Sequence, residues 1–482
     1  MVSLSNHMQL PRRLNGMEDE GPQATQTISW AAGALCSLMS SYGYRRVDTP
    51  LMEETDLLLR KSGGELASKM YTFTDPGGHR VSLRPEFTSS IVRAYLQGMN
   101  GGGSLPVRWS YLGPVFRYEP EVTEHRQFTQ VGAELIGAAG PWADAEVMAV
   151  AVKGLSRVGI TGHRLIVGHL GYVAALLDSL DLSDRARLFL LASVGTLSHG
   201  ADGVRQVRQR AEELGLLAGQ STPAGAESAV TSEAALALLE QYVQASESSI
   251  IGVRTPQEIR DRFLRKQRSA QDNGPFETAM NLLAKVVQTR GDPKEVLRKA
   301  RRRSDSAQAR LELDLLWETL MVLSAYDLAV PVSVDFGLAR GIAYYTGVVF
   351  EVQHPASGGV SLGGGGRYDS LIQALGGDEP TPAMGFAWNL ERVLSSAMKE
   401  PGLPRAHVNQ HEPLLVRDDR RGWATSAAVI EAERLRAQGK VVQLELDGRS
   451  LKESIILAQA QGLAYVVTVD GDGKTRRRKV PD

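Results

Sequence analysis

Apolar side chains recur at three-to-four spacing over residues 24–42 (ATQTISWAAGALCSLMSSY) and the run stops at Gly43, which predicts an amphipathic helix closed by a glycine. The following GYRRVDTPLME reads as a short β run that meets Pro50. In MYTFTDPGGHRVSLRPE, apolar and polar residues alternate about Asp75-Pro76-Gly77-Gly78, as in a β-hairpin. A helix is predicted for SSIVRAYLQGM. Residues 107–137 carry two further strands, VRWSYLGPVFRYE and RQFTQVGAELIG, joined by a short polar connection and followed by the helix DAEVMAVAVKGLSRVG.

From residue 160 to 325 the pattern turns mostly helical, with an Ala/Ser/Gly-rich stretch (GLLAGQSTPAGAESAV) and a cationic run, LRKARRRSDSAQAR. That run reads as a solvated helix face or as a nucleic-acid contact. β patterning resumes at VPVSVDF and continues through YYTGVVFEV and a GGGG turn to the helix AMGFAWNLERVLSSAM. A Pro-containing linker is predicted over 400–413, and then strands and helices alternate (PLLVR, AAVIEAERLRAQG, VVQLEL, SLKESIILAQAQG, AYVVTV), as in a small α/β domain with a parallel sheet. The expected organisation is an antiparallel α+β core in two parts, 1–165 and 326–400, interrupted by a helical insertion, 166–325, with a separate module at 401–482.

Composition narrows the classes. A chain of 482 residues with 43% hydrophobic and 23% charged residues is not disordered in its main state. At roughly 100–200 residues per domain it makes two to four domains. No run approaches the roughly 20 apolar residues of a membrane span, and MVSLSNHMQLPRRLNG lacks a basic segment followed by an apolar one, so a cytoplasmic protein with no membrane partner is expected. The single cysteine, Cys36, excludes an internal disulfide and a cysteine-based zinc site, and its helical context places it in the core. No metal site is predicted. With 54 Lys+Arg against 55 Asp+Glu, net charge gives no global argument for nucleic acid, so partners must be read from local sites.

Arginines inside strands are informative, because a long cation among apolar residues needs an anion. Arg117 in PVFRYE, Arg340 in LARGIAYYTG and Arg392 in GFAWNLER are such residues. Converging, they make a clamp for a polyphosphate or carboxylate, since the guanidinium fork binds such groups through two parallel hydrogen bonds; singly, each is an ordinary ion-pair partner. Glu86, Gln130 and Glu134 form a complementary group, the last two four apart in a strand and therefore on one face. That face suits an ammonium and a donor-bearing ring, or is a solvated side of the sheet. Gly363–Gly366 match neither a Walker loop nor the dinucleotide fingerprint and permit close backbone approach or turning.

YGYRRVDTPLME, LRPEFT, FRYE with RQFTQVGAEL, RGIAYYTGVVFE, GGGGRYD and PAMGFAWNLER stand in the order found in class II histidyl-tRNA synthetases, and the chain resembles that family over residues 10–400 outside the insertion. The resemblance implies a class II aminoacyl-tRNA synthetase core, an antiparallel sheet flanked by helices, with a helical insertion and a C-terminal α/β domain like a shortened anticodon-binding domain. It implies a homodimer. By position, Glu86, Thr88 and Gln130 resemble residues that receive the histidine α-amino group, and Glu134 with Tyr344 and Tyr345 those of the imidazole side. Arg117 resembles the arginine on the ATP α-phosphate, Arg126 is the one arginine left in the following loop, Arg340 resembles the catalytic arginine, and Arg392 the one near the distal phosphates.

The family has two branches: the synthetase, which uses ATP and Mg²⁺ to activate histidine and charges tRNA, and a regulatory subunit of ATP phosphoribosyltransferase, which serves histidine biosynthesis by supporting the short-form catalytic subunit without a cofactor of its own. Departures point to the regulatory branch. The loop Pro120-Glu121-Val122-Thr123-Glu124-His125 is one residue short and acidic where glycine and basic residues are usual. A carboxylate about 4 Å from a phosphate charge costs about 4 kcal/mol at an effective dielectric of about 20, less in salt. Ala343 and Asn389 replace a usual acid and a usual glycine, NGMEDEGP follows the opening motif loosely, and GKTRRRKVPD stands where further elements of an anticodon reader are expected. The appended domain points the other way, because the regulatory paralogues commonly lack it. The sequence therefore ranks the regulatory subunit first and histidine–tRNA ligase as its alternative.

Overall fold

The computed structural model describes residues 12–60, 63–99, 105–118, 125–217, 274–340, 344–355, 358–397, 414–419 and 426–481. Most of the acidic loop (119–124), Ala343, much of the Ala/Ser/Gly-rich stretch (218 onward) and the linker (398–413) lie outside them. The chain divides into two compact units, 1–403 and 404–482.

The strands in chain order are β1 (Arg45–Arg46), β2 (Met52–Glu54), β3 (Thr72–Thr74), β4 (Arg80–Leu83), β5 (Val107–Phe116), β6 (Gln127–Ile136), β7 (Arg164–His169), β8 (Arg290–Gly291), β9 (Val332–Asp335), β10 (Val348–Gln353), β11 (Ser361–Arg367), β12 (Ala383–Asn389), β13 (Leu414–Asp418), β14 (Val442–Leu444), β15 (Tyr465–Val469) and β16 (Thr475–Lys479). The first unit is built on a nine-stranded sheet, β1-β5-β6-β12-β11-β10-β7-β9-β8. Its pairs are antiparallel except β1·β5 and β7·β9. The hairpin predicted about Asp75–Gly78 forms as β3·β4, with β2 completing a small second sheet.

Period-two alternation gives the large sheet two unlike faces. Val131, Ala133 and Leu135 of β6 and Phe386 and Trp388 of β12 point to a core closed by the helices Pro22–Ser41 and Pro141–Arg157. Trp388 fits because the facing helix carries Gly154 and the adjacent strand Gly363, where an added Cβ would lie 2.2 Å and 2.6 Å from the indole. Its Nε1–H donates to the Ala151 carbonyl at 3.0 Å. The other face holds the site described below.

Three expectations change. Gly363–Gly366 are not a turn: they run through the middle of β11, paired with β10 on one side and β12 on the other, because extended backbone is open to any residue and glycine is needed here for its missing side chain. The expected boundary at 165/166 falls inside β7, a strand of the large sheet, so the helical region is threaded through the core's sheet, contributing β8 as well. The terminal TRRRK run is strand β16, antiparallel to β15; an edge strand need have no apolar face, and its cations discourage further pairing.

The cationic run forms the helix Pro293–Arg302, with Val296, Leu297 and Ala300 buried and arginines outward. Arg298 pairs with Glu295 at 2.7 Å and Arg301 with Asp314. Cys36 is half-buried, and burial raises its thiol pKa. In the second unit β13 lies between parallel partners β14 and β15, and the helices Ser426–Ala437 and Leu451–Ala460 cover opposite faces, each over its own apolar cluster. Among the described residues no helix is long and apolar enough to cross a membrane.

Candidate functional site

Cross-strand register lays out the floor of a cavity of about 120 Å³. One row across the sheet reads Trp109, Glu134, Gly385, Gly366, Val349, and the next Tyr111, Gly132, Ala387, Gly364, Glu351. Glycine recurs because neighbouring groups occupy the space of its side chain. An added Cβ at Gly385 would meet Glu134 Oε2 at 1.6 Å, at Gly366 the Tyr345 ring at 2.8 Å, and at Gly364 Arg340 Nη1 at 2.0 Å. The glycines thus seat the chemistry-bearing side chains against the sheet.

Part of the lining is rich in oxygen acceptors. Glu86 precedes the helix Thr88–Leu96 and its carboxylate accepts the backbone N–H groups of Thr88 and, at 3.0 Å, Ser89. Gln130 Oε1 accepts Phe87 N–H at 3.2 Å, and its second lone pair can accept another donor. Glu134 is fully buried and accepts three hydroxyls: Thr88 at 2.8 Å, Tyr111 at 3.1 Å and Tyr368 at 2.6 Å. Burial outweighs those bonds and the carboxyl is pushed up to about 8.

This shift fixes a pH dependence. Below about pH 4.5 the group is protonated folded or unfolded; between there and about 8 the folded protein keeps a proton that the unfolded chain releases. Stability from this group therefore falls as pH rises through that window. Glu134→Gln is expected to flatten the corresponding part of a denaturation-midpoint-against-pH curve between pH 5 and 9. An unchanged slope would contradict it.

The lining also carries cations. Arg117 is half-buried, its Nε–H donating to the Pro85 carbonyl at 2.8 Å, and desolvation lowers its pKa while Glu86 opposes that shift. Arg340 and Arg392 both lie close enough to repel it. Arg340 Nη1 donates to the Phe350 carbonyl at 3.2 Å and to Glu351 at 3.3 Å, while its buried Nε has no partner among the described residues. Asn389, at the position where the resemblance leads one to expect glycine, caps the next helix through Oδ1 accepting Arg392 N–H at 3.0 Å.

Glu86, Thr88, Gln130, Arg117, Arg340, Tyr344 and Tyr345 all line the cavity. Glu134 stands behind it, reached through hydroxyls, and Arg392 acts on Arg117 through space. Arg126 is not brought in: its guanidinium stacks 4.4 Å from the Tyr118 ring centroid and its backbone N–H donates to the Gly16 carbonyl. Sequence reasoning missed Tyr111, Tyr368 and Lys69, which also line the cavity. Tyr368 stands two residues after the glycine run, past Arg367, and Tyr111 sits two residues before Gly113, on the face that register assigns to Gln130.

A family model described as "Histidyl-tRNA synthetase" matches residues 16–249 and 254–393. The histidine–tRNA ligase of Thermococcus kodakarensis is 29% identical over 95% of this chain and 90% of its own length; that of Methanocaldococcus jannaschii is 27% identical over 96% and 93%. Among solved structures, an "ATP phosphoribosyltransferase regulatory subunit/histidyl-tRNA synthetase" from Bacillus halodurans aligns with TM-score 0.65 at 22% identity, over 96% of this chain and 99% of its own. The histidyl-tRNA synthetase of Nostoc sp. aligns with TM-score 0.64 at 18%, over 98% and 97%. At those identities the structures speak for the fold.

Proposed function

The chain belongs to the histidyl-tRNA synthetase family, and on that premise we propose that it activates histidine with ATP, as a histidine–tRNA ligase does. The supporting observation is the cavity's lining, which brings the acceptors Glu86, Thr88 and Gln130 together with Arg117 and Arg340, with Arg392 close enough to Arg117 to repel it. A zwitterionic amino acid fits that set of groups, its ammonium at Glu86, Thr88 and Gln130, its ring among Tyr111, Tyr344, Tyr345 and Tyr368 with Glu134 behind them, and its carboxylate toward the arginines.

A carboxylate oxygen then attacks the α-phosphorus of ATP, the bond to the bridging oxygen breaks, and pyrophosphate leaves with the electron pair. Two anions must approach each other, so the chain's contribution is to hold them in line and offset their charge; no side-chain nucleophile is required. Mg²⁺ belongs to the nucleotide substrate. The fit of the archaeal ligases over nine-tenths of their length, terminal unit included, supports transfer to tRNA as the second step. A cytosolic homodimer is part of this reading.

The second reading keeps the sequence's first choice: a regulatory subunit for a short-form ATP phosphoribosyltransferase, with the pocket binding histidine without activating it. The acidic loop and Ala343 favour it. Histidine-dependent ATP–pyrophosphate exchange separates the two. Exchange well above a no-histidine control is expected; none from folded protein would overturn the activation reading and turn the test to reconstitution with the phosphoribosyltransferase.

A further inference from the structure

Arg340 has to present its guanidinium to the cavity although Arg117 carries a like charge nearby, and the sheet supplies what holds it. Glu351, on β10, is the cross-strand partner of Gly364 on β11, and the absent side chain at 364 leaves the space in which Arg340 Nη1 lies, 3.3 Å from Glu351 Oε1. The second carboxylate oxygen accepts Gln353 Nε2–H at 3.1 Å, and Gln353 Oε1 accepts Arg164 Nη2–H at 3.1 Å. Glu351 and Gln353 share one face of β10, and Arg164 is the register partner of Gln353 on β7. Four side chains on three elements thus form one line, from an exposed arginine inward.

We propose that Glu351 is the positioning residue for Arg340, and that Gln353 and Arg164 fix the carboxylate in turn. This rests on the activation reading for its kinetic consequence, not for its geometry. Nη1 is committed to Glu351 and the Phe350 carbonyl, so Nε, buried and without a partner among the described residues, is left for an anion in the cavity. Released from Glu351, Arg340 would swing away from Arg117 under its repulsion, and a displacement of about 1 Å costs about 10- to 100-fold in rate.

The test pairs exchange kinetics with crystal structures of the wild-type protein, Glu351→Ala and Glu351→Gln. For Glu351→Ala, kcat should fall about 10- to 100-fold with KM for histidine little changed, and the guanidinium should leave its place over Gly364. Glu351→Gln keeps the acceptor oxygen and should restore both position and most of the rate, which loss of general stability would not do. An unmoved Arg340 or an unchanged kcat in Glu351→Ala overturns the proposal, as does failure of Gln to restore the rate with Arg340 in place. Wild-type protein without exchange refutes the activation reading alone; the Arg340 position in the variants then decides this one. Should Glu351→Ala not fold, Gln353→Leu is used, with the same displacement expected in weaker form and no displacement counting against.

Discussion

Arg340→Ala is expected to lower histidine-dependent ATP–pyrophosphate exchange by about 10²- to 10³-fold, the range seen when one preorganised donor to a developing anion is removed. The loss should appear in kcat more than in KM for histidine, because under the proposed mechanism the guanidinium offsets charge on the two reacting anions rather than holding the ammonium. Folding should survive, since Arg340 is only partly buried, lies on the face of the sheet over Gly364 and belongs to none of the apolar core clusters. Arg340→Lys should recover little: an ammonium keeps the charge but cannot hold Glu351 and an anion from one rigid plane. Exchange within threefold of wild type in the alanine variant would remove Arg340 from the mechanism.

Trp388→Ala should act on stability instead, costing about 3–5 kcal/mol as large-to-small core changes do. The site cannot collapse around the loss. The indole fills notches left by Gly154 and Gly363, which have no side chains to move into the space, and the Ala151 carbonyl loses its donor. A fall in the denaturant midpoint equivalent to less than about 1 kcal/mol would mean that the helix Pro141–Arg157 settles onto β12. Residual activity in the folded fraction should be near normal, because Trp388 faces away from the cavity.

What the sequence disclosed and withheld follows from how far each signal acts along the chain. Periodicity marked β5, β6 and the helices beside them because one face of each meets a core. The pairing of Gln130 with Glu134 was legible from strand parity, and the convergence of Arg117, Arg340 and Arg392 from the cost of a cation in a sheet. Local pattern failed where the reason for a residue lay on another strand. Four consecutive glycines look like a turn until Arg340, Tyr345, Trp388 and the β12 backbone are placed against them. TRRRK has no apolar face because a sheet edge requires none. Arg126 was assigned from its place after the loop, and nothing in the nearby sequence signals that Tyr118 and Gly16 hold it elsewhere. Tyr111 and Tyr368 were overlooked because their partner, Glu134, is remote from both along the chain.

The glycine floor has a consequence for how this pocket can change over evolution or by engineering. Most pockets are enlarged by trimming a side chain, but at positions 132, 364, 366 and 385 nothing is left to trim. Variation there runs in one direction, toward a smaller or blocked chamber. Any adaptation to a bulkier amino acid must come from the walls, from Tyr344, Tyr345, Tyr111 or Tyr368. Two of these hydroxyls are tied to a buried carboxyl, Tyr111 and Tyr368 to Glu134. A broader specificity won at either tyrosine would therefore come with a less fully paired Glu134, so selection for a new substrate would first have to tolerate a less stable protein.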